Sequence, residues 1–308
     1  MRTLVTGGAG FIGSNYVRHR LARTGDEVVT LDALTYAGSA DNLAGVRDHD
    51  RHEFVEGDVR DEGLVTDLVA DADAVVHFAA ESHVDRSIDG AAPFVSTNVD
   101  GTRALLDAAR ATDLDRFLQV STDEVYGETV DGRFAETDPL DPRNPYAATK
   151  AGADHLALSY RATHGVPVVV TRSSNVFGPR QHPEKLIPKF LTRAARGEPL
   201  PLYGDGSNVR EWTYVTDNCR ALDRALADGE PGEVYNVASG EERTNLEVTE
   251  AVLDAVGASR DLIEFVDDRP GHDQRYALET GKIRGLGWEP EYDFEAGLER
   301  TTEFYLDE

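Results

Sequence analysis

Two short segments of this 308-residue chain carry residue types that could share one reaction. Ser121-Thr122-Asp123-Glu124-Val125-Tyr126-Gly127 brings hydroxyls and two adjacent carboxyls. Tyr146-Ala147-Ala148-Thr149-Lys150 brings a phenol and an amine four residues apart, which is about one helical turn and one helix face. An ammonium beside a phenol favours phenolate, so Lys150 should lower the pKa of Tyr146. Tyr146 could then take the proton of an alcohol while hydride leaves the same carbon, and Thr122 could share a hydrogen bond with that oxygen. Asp123 and Glu124 add a second capability. Two neighbouring carboxyls repel, so one pKa should rise and that group should keep its proton. A protonated acid can feed a leaving hydroxyl, and an ionised one can remove a proton beside a carbonyl. Those are the two jobs in eliminating water from a β-hydroxy ketone. In a chain this acidic, a solvated loop is the competing reading of Asp123-Glu124. Their position directly after the apolar run Phe117-Leu118-Gln119-Val120 favours the site.

The elements that would hold these residues follow from periodicity. Leu4-Val5-Thr6, Val28-Val29-Thr30-Leu31, Phe54-Val55, Ala74-Val75-Val76-His77-Phe78, Phe117-Leu118-Gln119-Val120 and Val168-Val169-Val170-Thr171 are short apolar runs, suited to strands buried on both faces. Between them, segments 11–24, 93–112 and 147–164 have helical length and periodicity. The alternation predicts an α/β fold, a doubly wound parallel sheet of Rossmann type, over residues 1–172. Beyond residue 173 prolines and glycines punctuate the chain, from Gly178-Pro179 to Gly204 and Gly206. Residues 173–308 are expected to form a smaller α/β substrate-binding region over the carboxyl ends of the strands, with about 213–237 returning to the first domain.

Gly7-Gly8-Ala9-Gly10-Phe11-Ile12-Gly13 follows the first strand and opens the first helix. Missing side chains allow a tight turn and close approach of a pyrophosphate to the helix N-terminus. Asp32 ends the next strand, 19 residues beyond Gly13. A carboxylate there accepts ribose hydroxyls and repels a 2′-phosphate, which predicts NAD rather than NADP. Asp58-Val59, after the third strand, is placed to meet the adenine.

The net charge is −26, from 57 acidic and 31 basic residues, and only Lys150, Lys185, Lys189 and Lys282 are lysine. Such a field repels nucleic acid and anionic membrane surfaces, so neither is expected as a partner. Acidic residues spread over the whole chain, with little lysine, resemble proteins of salt-accumulating organisms; an ordinary acidic cytosolic protein is the alternative. No run of about 18 apolar residues occurs, and the N-terminus enters the glycine motif at once, so a cytoplasmic protein is expected. The single cysteine, Cys219, reads as a buried small side chain. No His/Cys/Asp set stands at metal-ligand spacing, and no metal is expected.

Longer segments extend the pattern: Leu34-Thr35-Tyr36-Ala37-Gly38, Ala79 to Ile88, Thr97-Asn98-Val99, Pro183 to Pro188, and Asp268-Arg269-Pro270-Gly271-His272-Asp273 followed by Arg275-Tyr276-Ala277. With these the chain resembles the nucleotide-sugar 4,6-dehydratases of the extended short-chain dehydrogenase/reductase family over nearly its whole length. The resemblance implies conversion of dTDP-glucose to dTDP-4-keto-6-deoxyglucose, an early step of deoxysugar biosynthesis. It implies oxidation at C4 with Tyr146 and Lys150, removal of the C5 proton by Glu124, protonation of the leaving C6 hydroxyl by Asp123, and hydride return to C6. NAD would stay bound and be regenerated each turnover. By the same resemblance Gly7, Gly10, Phe11, Ile12, Gly13, Asp32, Leu34, Thr35, Asp58, Val59, Phe78, Ala79, Ala80, Ser82, Thr97, Tyr146 and Lys150 would contact NAD. Ser82, Thr122, Asn175, Lys185, Leu186, Pro201, Tyr203, Arg210, Asn245, Asp268, Arg269 and His272 would contact the nucleotide sugar. His83 and His272 invite a proton-shuttle reading, but the carboxyls and tyrosine already account for every proton, so positioning roles are expected. A homodimer pairing segments 93–112 and 147–164 is implied as well.

Two departures stand out. The family's Asn-Asn-Tyr-Gly-Pro is here Asn175-Val176-Phe177-Gly178-Pro179, and its Arg-Asp-Trp is Arg210-Glu211-Trp212. The first puts the substrate in doubt more than the chemistry. The enzyme alternatives are a UDP-sugar 4,6-dehydratase, a UDP-glucuronate decarboxylase and a 4-epimerase. Decarboxylases of this kind carry Ser where Asp123 stands, and an epimerase needs no Asp-Glu pair. A catalytically silent NAD-binding regulator is the alternative from another class, disfavoured by Thr122, Asp123, Glu124, Tyr146 and Lys150 occurring together.

Overall fold

The computed structural model describes residues 1–268 and 273–306. Its strands are β1 (Arg2–Thr6), β2 (Glu27–Asp32), β3 (His52–Glu56), β4 (Ala74–His77), β5 (Arg116–Thr122), β6 (Val168–Ser173), β7 (Asn175–Phe177), β8 (Leu200–Tyr203), β9 (Val209–Tyr214), β10 (Val234–Val237), β11 (Glu242–Thr244) and β12 (Ile263–Val266). Its helices are α1 (Phe11–Arg23), α2 (Glu62–Ala70), α3 (Val84–Asp89), α4 (Ala92–Phe94), α5 (Thr102–Ala109), α6 (Pro145–His164), α7 (Leu186–Ala195), α8 (Val215–Asp228), α9 (Asn245–Val256), α10 (Gly281–Gly285) and α11 (Phe294–Leu306).

Seven strands form one parallel sheet in the order β10-β6-β5-β4-β1-β2-β3. The apolar runs dictate this. In a strand, successive residues face opposite sides, so a continuous run must be covered on both. Val5, Val76 and Val169 face a core completed by Tyr16, Val17 and Leu21 of α1 and by Leu222 and Ala225 of α8. Their neighbours Leu4, Val75 and Val168 face a second core with Val65 and Val69 of α2 and Leu105 and Leu106 of α5. The order reverses between β1 and β4, so a crevice opens there at the carboxyl ends of the strands, where α/β sheets bind ligands. Over that end lie a three-stranded sheet, β11-β9-β7, and a parallel pair, β12-β8.

Helix α6, which carries Tyr146 and Lys150, is delimited by local chemistry. Asn144 caps its start, accepting the Ala147 N–H at 2.8 Å, Pro145 occupies the first turn, and Gly165 ends it with φ +76°. Segment 93–112 departs from the single helix its periodicity suggests. Residues Val95–Gly101 form a π-helical turn between α4 and α5. The Asn98 side chain accepts the Glu81 N–H at 2.8 Å and donates to Glu81 O at 3.0 Å and to Thr149 Oγ1 at 2.9 Å. Those bonds hold the widened turn against the loop after β4 and against α6. Cys219 is buried in α8. Among the described residues no helix is long and apolar enough to cross a membrane.

Candidate active site

The loop from β1 to α1 has room only for glycine at two points. A Cβ on Gly13 would lie 2.2 Å from Gly7 O, and one on Gly7, at φ +69°, would lie 2.6 Å from Ala79 N. No side chain caps α1 and no acidic residue sits in its first turn. Its N–H groups and positive dipole end are therefore left for an anion. Asp32 closes the far side. Its carboxylate accepts Ala9 N–H at 2.9 Å and Leu34 N–H at 2.8 Å, and burial raises its pKa. This donor set and glycine cradle fit a dinucleotide with free ribose hydroxyls.

A cleft of about 340 Å³ runs from the loop to Thr122, Asp123, Glu124, Tyr146 and Lys150. Gly7, Gly10, Phe11, Ile12, Gly13, Asp32, Thr35, Asp58, Val59, Phe78, Ala79, Ala80, Ser82, Thr97, Tyr146 and Lys150 all line it. Leu34 does not. It adopts a left-handed backbone, φ +48°, and packs its side chain on the core, leaving only its N–H for Asp32. Asp58 is engaged by Arg60 through both carboxylate oxygens, which holds its pKa below the usual carboxylate range.

Strand β5 ends at Thr122 and a 3₁₀ turn, Asp123–Tyr126, follows. Thr122 Oγ1 accepts the Glu124 N–H at 3.3 Å and donates to Asp123 Oδ1 at 3.2 Å. Asp123 is 3% exposed. Burial, and then the Glu124 charge, push its carboxyl up to about 8, with Arg210 opposing. The sequence reading placed the cause in mutual repulsion; desolvation is the larger one. Asp123 is thus protonated at neutral pH, as donation to a leaving group would require. Glu124 Oε2 accepts Asn144 Nδ2 at 3.0 Å, so the cap of α6 also steadies the partner carboxylate.

Tyr146 requires a correction. Lys150 was expected to lower its pKa, but burial, followed by the Glu124 and Asp123 charges, pushes the phenol above its ordinary value. The Lys150 ammonium donates to Val120 O at 2.7 Å, and burial brings it down to about 8 against the Asp154 carboxylate.

A second cavity of about 540 Å³ adjoins the first, and Glu124, Asn175, Gln181 and Lys185 line both. Leu186, Pro201, Tyr203, Arg210 and Asn245 line the second; Ser82 and Thr122 line only the first. Asp268, just after β12, lies beside Gly204 and lines neither. Arg269 and His272 lie outside the described residues. Arg210 is no surface ion pair. It is buried, donates to Val209 O at 2.7 Å and Asp273 O at 2.9 Å, and stacks 4.5 Å from the Tyr276 ring centroid. His83 lines the second cavity with Nε2 3.4 Å from Glu184 Oε2. Gln181 and Tyr276 also line it without having been singled out. Tyr276 stood inside a quoted motif, but nothing local told its ring from an ordinary core aromatic. The departures separate too. Val176 lines the first cleft, whereas Phe177 is buried among Trp212, Tyr214 and Phe294, so its missing hydroxyl does not reach a cavity wall.

The family model for GDP-mannose 4,6 dehydratase matches residues 4–301. The chain belongs to that family. Among its relatives, the low-salt glycan biosynthesis protein Agl12 of Haloferax volcanii is 69% identical, with 99% of each chain covered. A dTDP-glucose 4,6-dehydratase of Streptomyces niveus is 52% identical over 100% of this chain and 93% of its own. In structure, the family likeness extends to DesIV, a dTDP-glucose 4,6-dehydratase from Streptomyces venezuelae solved with NAD and TYD bound. It superposes with a TM-score of 0.97 at 52% identity, covering 100% of this chain and 97% of that one.

Proposed function

We propose that this protein is an NAD-dependent nucleotide-sugar 4,6-dehydratase that converts dTDP-glucose to its 4-keto-6-deoxy product. The observation that carries this reading is the buried Asp123, protonated up to about pH 8, beside Glu124 and in one cleft with Tyr146 and Lys150. NAD, when bound, supplies the hydride acceptor for C4, the hydride donor for C6, and a positive ring that favours phenolate. Tyr146 takes the C4 hydroxyl proton and Lys150 holds positive charge beside it. The resulting ketone acidifies C5–H; Glu124 removes that proton, the C5–C6 double bond forms, and the C6–O bond breaks as Asp123 gives its proton to departing water; C5 regains a proton when C6 is reduced. Asp32 holds the cofactor's ribose and disfavours a 2′-phosphate. Arg210, Lys185 and Asn245 hold the diphosphate and nucleoside, an arrangement supported by the buried guanidinium in the second cavity. A homodimer through segments 93–112 and 147–164 belongs to the same proposal.

The base is the open choice, since one thymine methyl in an apolar pocket is worth only about 1–3 kcal/mol. Purified protein in high salt, given dTDP-glucose and UDP-glucose separately, should yield a product lighter by one water, faster with the thymidine sugar. A faster reaction with UDP-glucose would transfer the assignment to a UDP-sugar dehydratase, and an isomer of unchanged mass would make it an epimerase.

A further inference from the structure

We propose that a buried polar chain, Asp154–Arg172–Tyr126, is a positioning device that holds the elimination acid in register with the oxidising phenol and amine. The inference rests on the dehydratase reading. Asp154 lies on α6 one turn beyond Lys150 and is fully buried, with Oδ2 accepting Arg172 Nε at 2.9 Å. Arg172, on β6, donates Nη1 to Tyr126 Oη at 2.8 Å, and its guanidinium carbon lies 4.8 Å from the Tyr126 ring centroid. Tyr126 closes the turn that begins at Asp123, and its Oη donates to Asn236 Oδ1 on β10 at 2.8 Å. One chain of groups thus joins the helix of Tyr146 and Lys150 to the turn of Asp123 and Glu124.

Stability does not explain this chain. A buried ion pair often costs as much desolvation as it regains, and apolar residues of equal volume serve as well or better. Position does explain it. Lys150 is tied to Val120 O and Glu124 to Asn144. Among the described residues, the hydrogen-bond partner of the Asp123 carboxyl is the adjacent Thr122 hydroxyl. Where Asp123 sits relative to Tyr146 is therefore set by its turn, and Tyr126 anchors the other end of that turn. Misplacing a reacting group by about 1 Å can cost about 100-fold.

The test separates the two half-reactions in a single turnover. Tyr126→Phe keeps the ring against Arg172 and removes the hydroxyl. The reduced-nicotinamide absorbance should rise at a rate within about twofold of wild type and then decay about tenfold more slowly, as the 4-ketone waits for elimination. Arg172→Lys keeps charge beside Asp154 but loses the fork that reaches Tyr126, and should give the same pattern. The double variant should be no slower than the slower single one. Bound NAD content and the melting transition show that each variant is folded. A wild type that dehydrates beside a Tyr126→Phe variant with both phases unchanged, or slowed equally, overturns the proposal alone. A wild type that never forms the dehydrated sugar overturns the dehydratase reading, and this proposal with it.

Discussion

At the residue scale, the one buried carboxyl of Asp123 has two consequences, one for chemistry and one for stability. As the acid it must be protonated, so elimination should fall as pH rises through about 8. Asp123→Asn should still reduce NAD with substrate but eliminate water slowly; unimpaired elimination would remove Asp123 from the scheme. Stability should move the same way with pH. In the unfolded chain this carboxyl ionises near the ordinary value of about 3.9, whereas in the fold it keeps its proton up to about 8. The folded state binds more protons between those values, so this residue's contribution to stability declines as pH rises across that window. Asp123→Asn should thus raise Tm little near about pH 4 and more near about pH 8, measured by thermal denaturation without substrate. The residue types and spacing of Asp123, Glu124, Tyr146 and Lys150 were legible in the sequence. The raised pKa of Asp123 was legible as a direction, but its main cause, and the shifts of Tyr146 and Lys150, were not, because burial sets them and is decided by distant elements. The same limit hid Tyr276, whose role depends on Arg210 of β9 lying against it.

At the element scale, six of the seven strands of the main sheet and their parallel arrangement were legible, since apolar runs without visible alternation have few other uses; β10 and the short strands after residue 173 were not. The glycine loop was legible for the same kind of reason: a strand, a tight turn and a helix start in sequence. Gly13→Ala makes that requirement measurable. Its new Cβ would meet Gly7 O at 2.2 Å, and relieving such a clash costs about 1–3 kcal/mol. The variant should lose bound NAD and melt earlier; full NAD retention would contradict the cradle. What the sequence concealed was the π-helical turn at Val95–Gly101. Its periodicity is that of an ordinary helix, and the cause of the widening is the pairing of Asn98 with Glu81 and Thr149, remote in sequence. Leu34 was concealed likewise, because a left-handed turn sends its side chain to the core instead of the cleft.

At the scale of the whole molecule, charge and chemistry make separate predictions. The excess of 57 acidic over 31 basic residues exceeds what local ion pairs can neutralise. Raising salt shortens the screening length from about 10 Å at 0.1 M to about 3 Å at 1 M, which weakens long-range repulsion more than close pairs. The midpoint of unfolding should therefore climb with KCl, and a flat response would reject the salt-adapted reading. The central claim is that one cleft performs oxidation, elimination and hydride return without releasing the cofactor. dTDP-glucose carrying deuterium at C4 tests it most directly, by locating the label in the product with mass spectrometry and NMR. The product should be a sugar lighter by one water with the deuterium on C6. Deuterium retained at C4, or a product of unchanged mass, would contradict it.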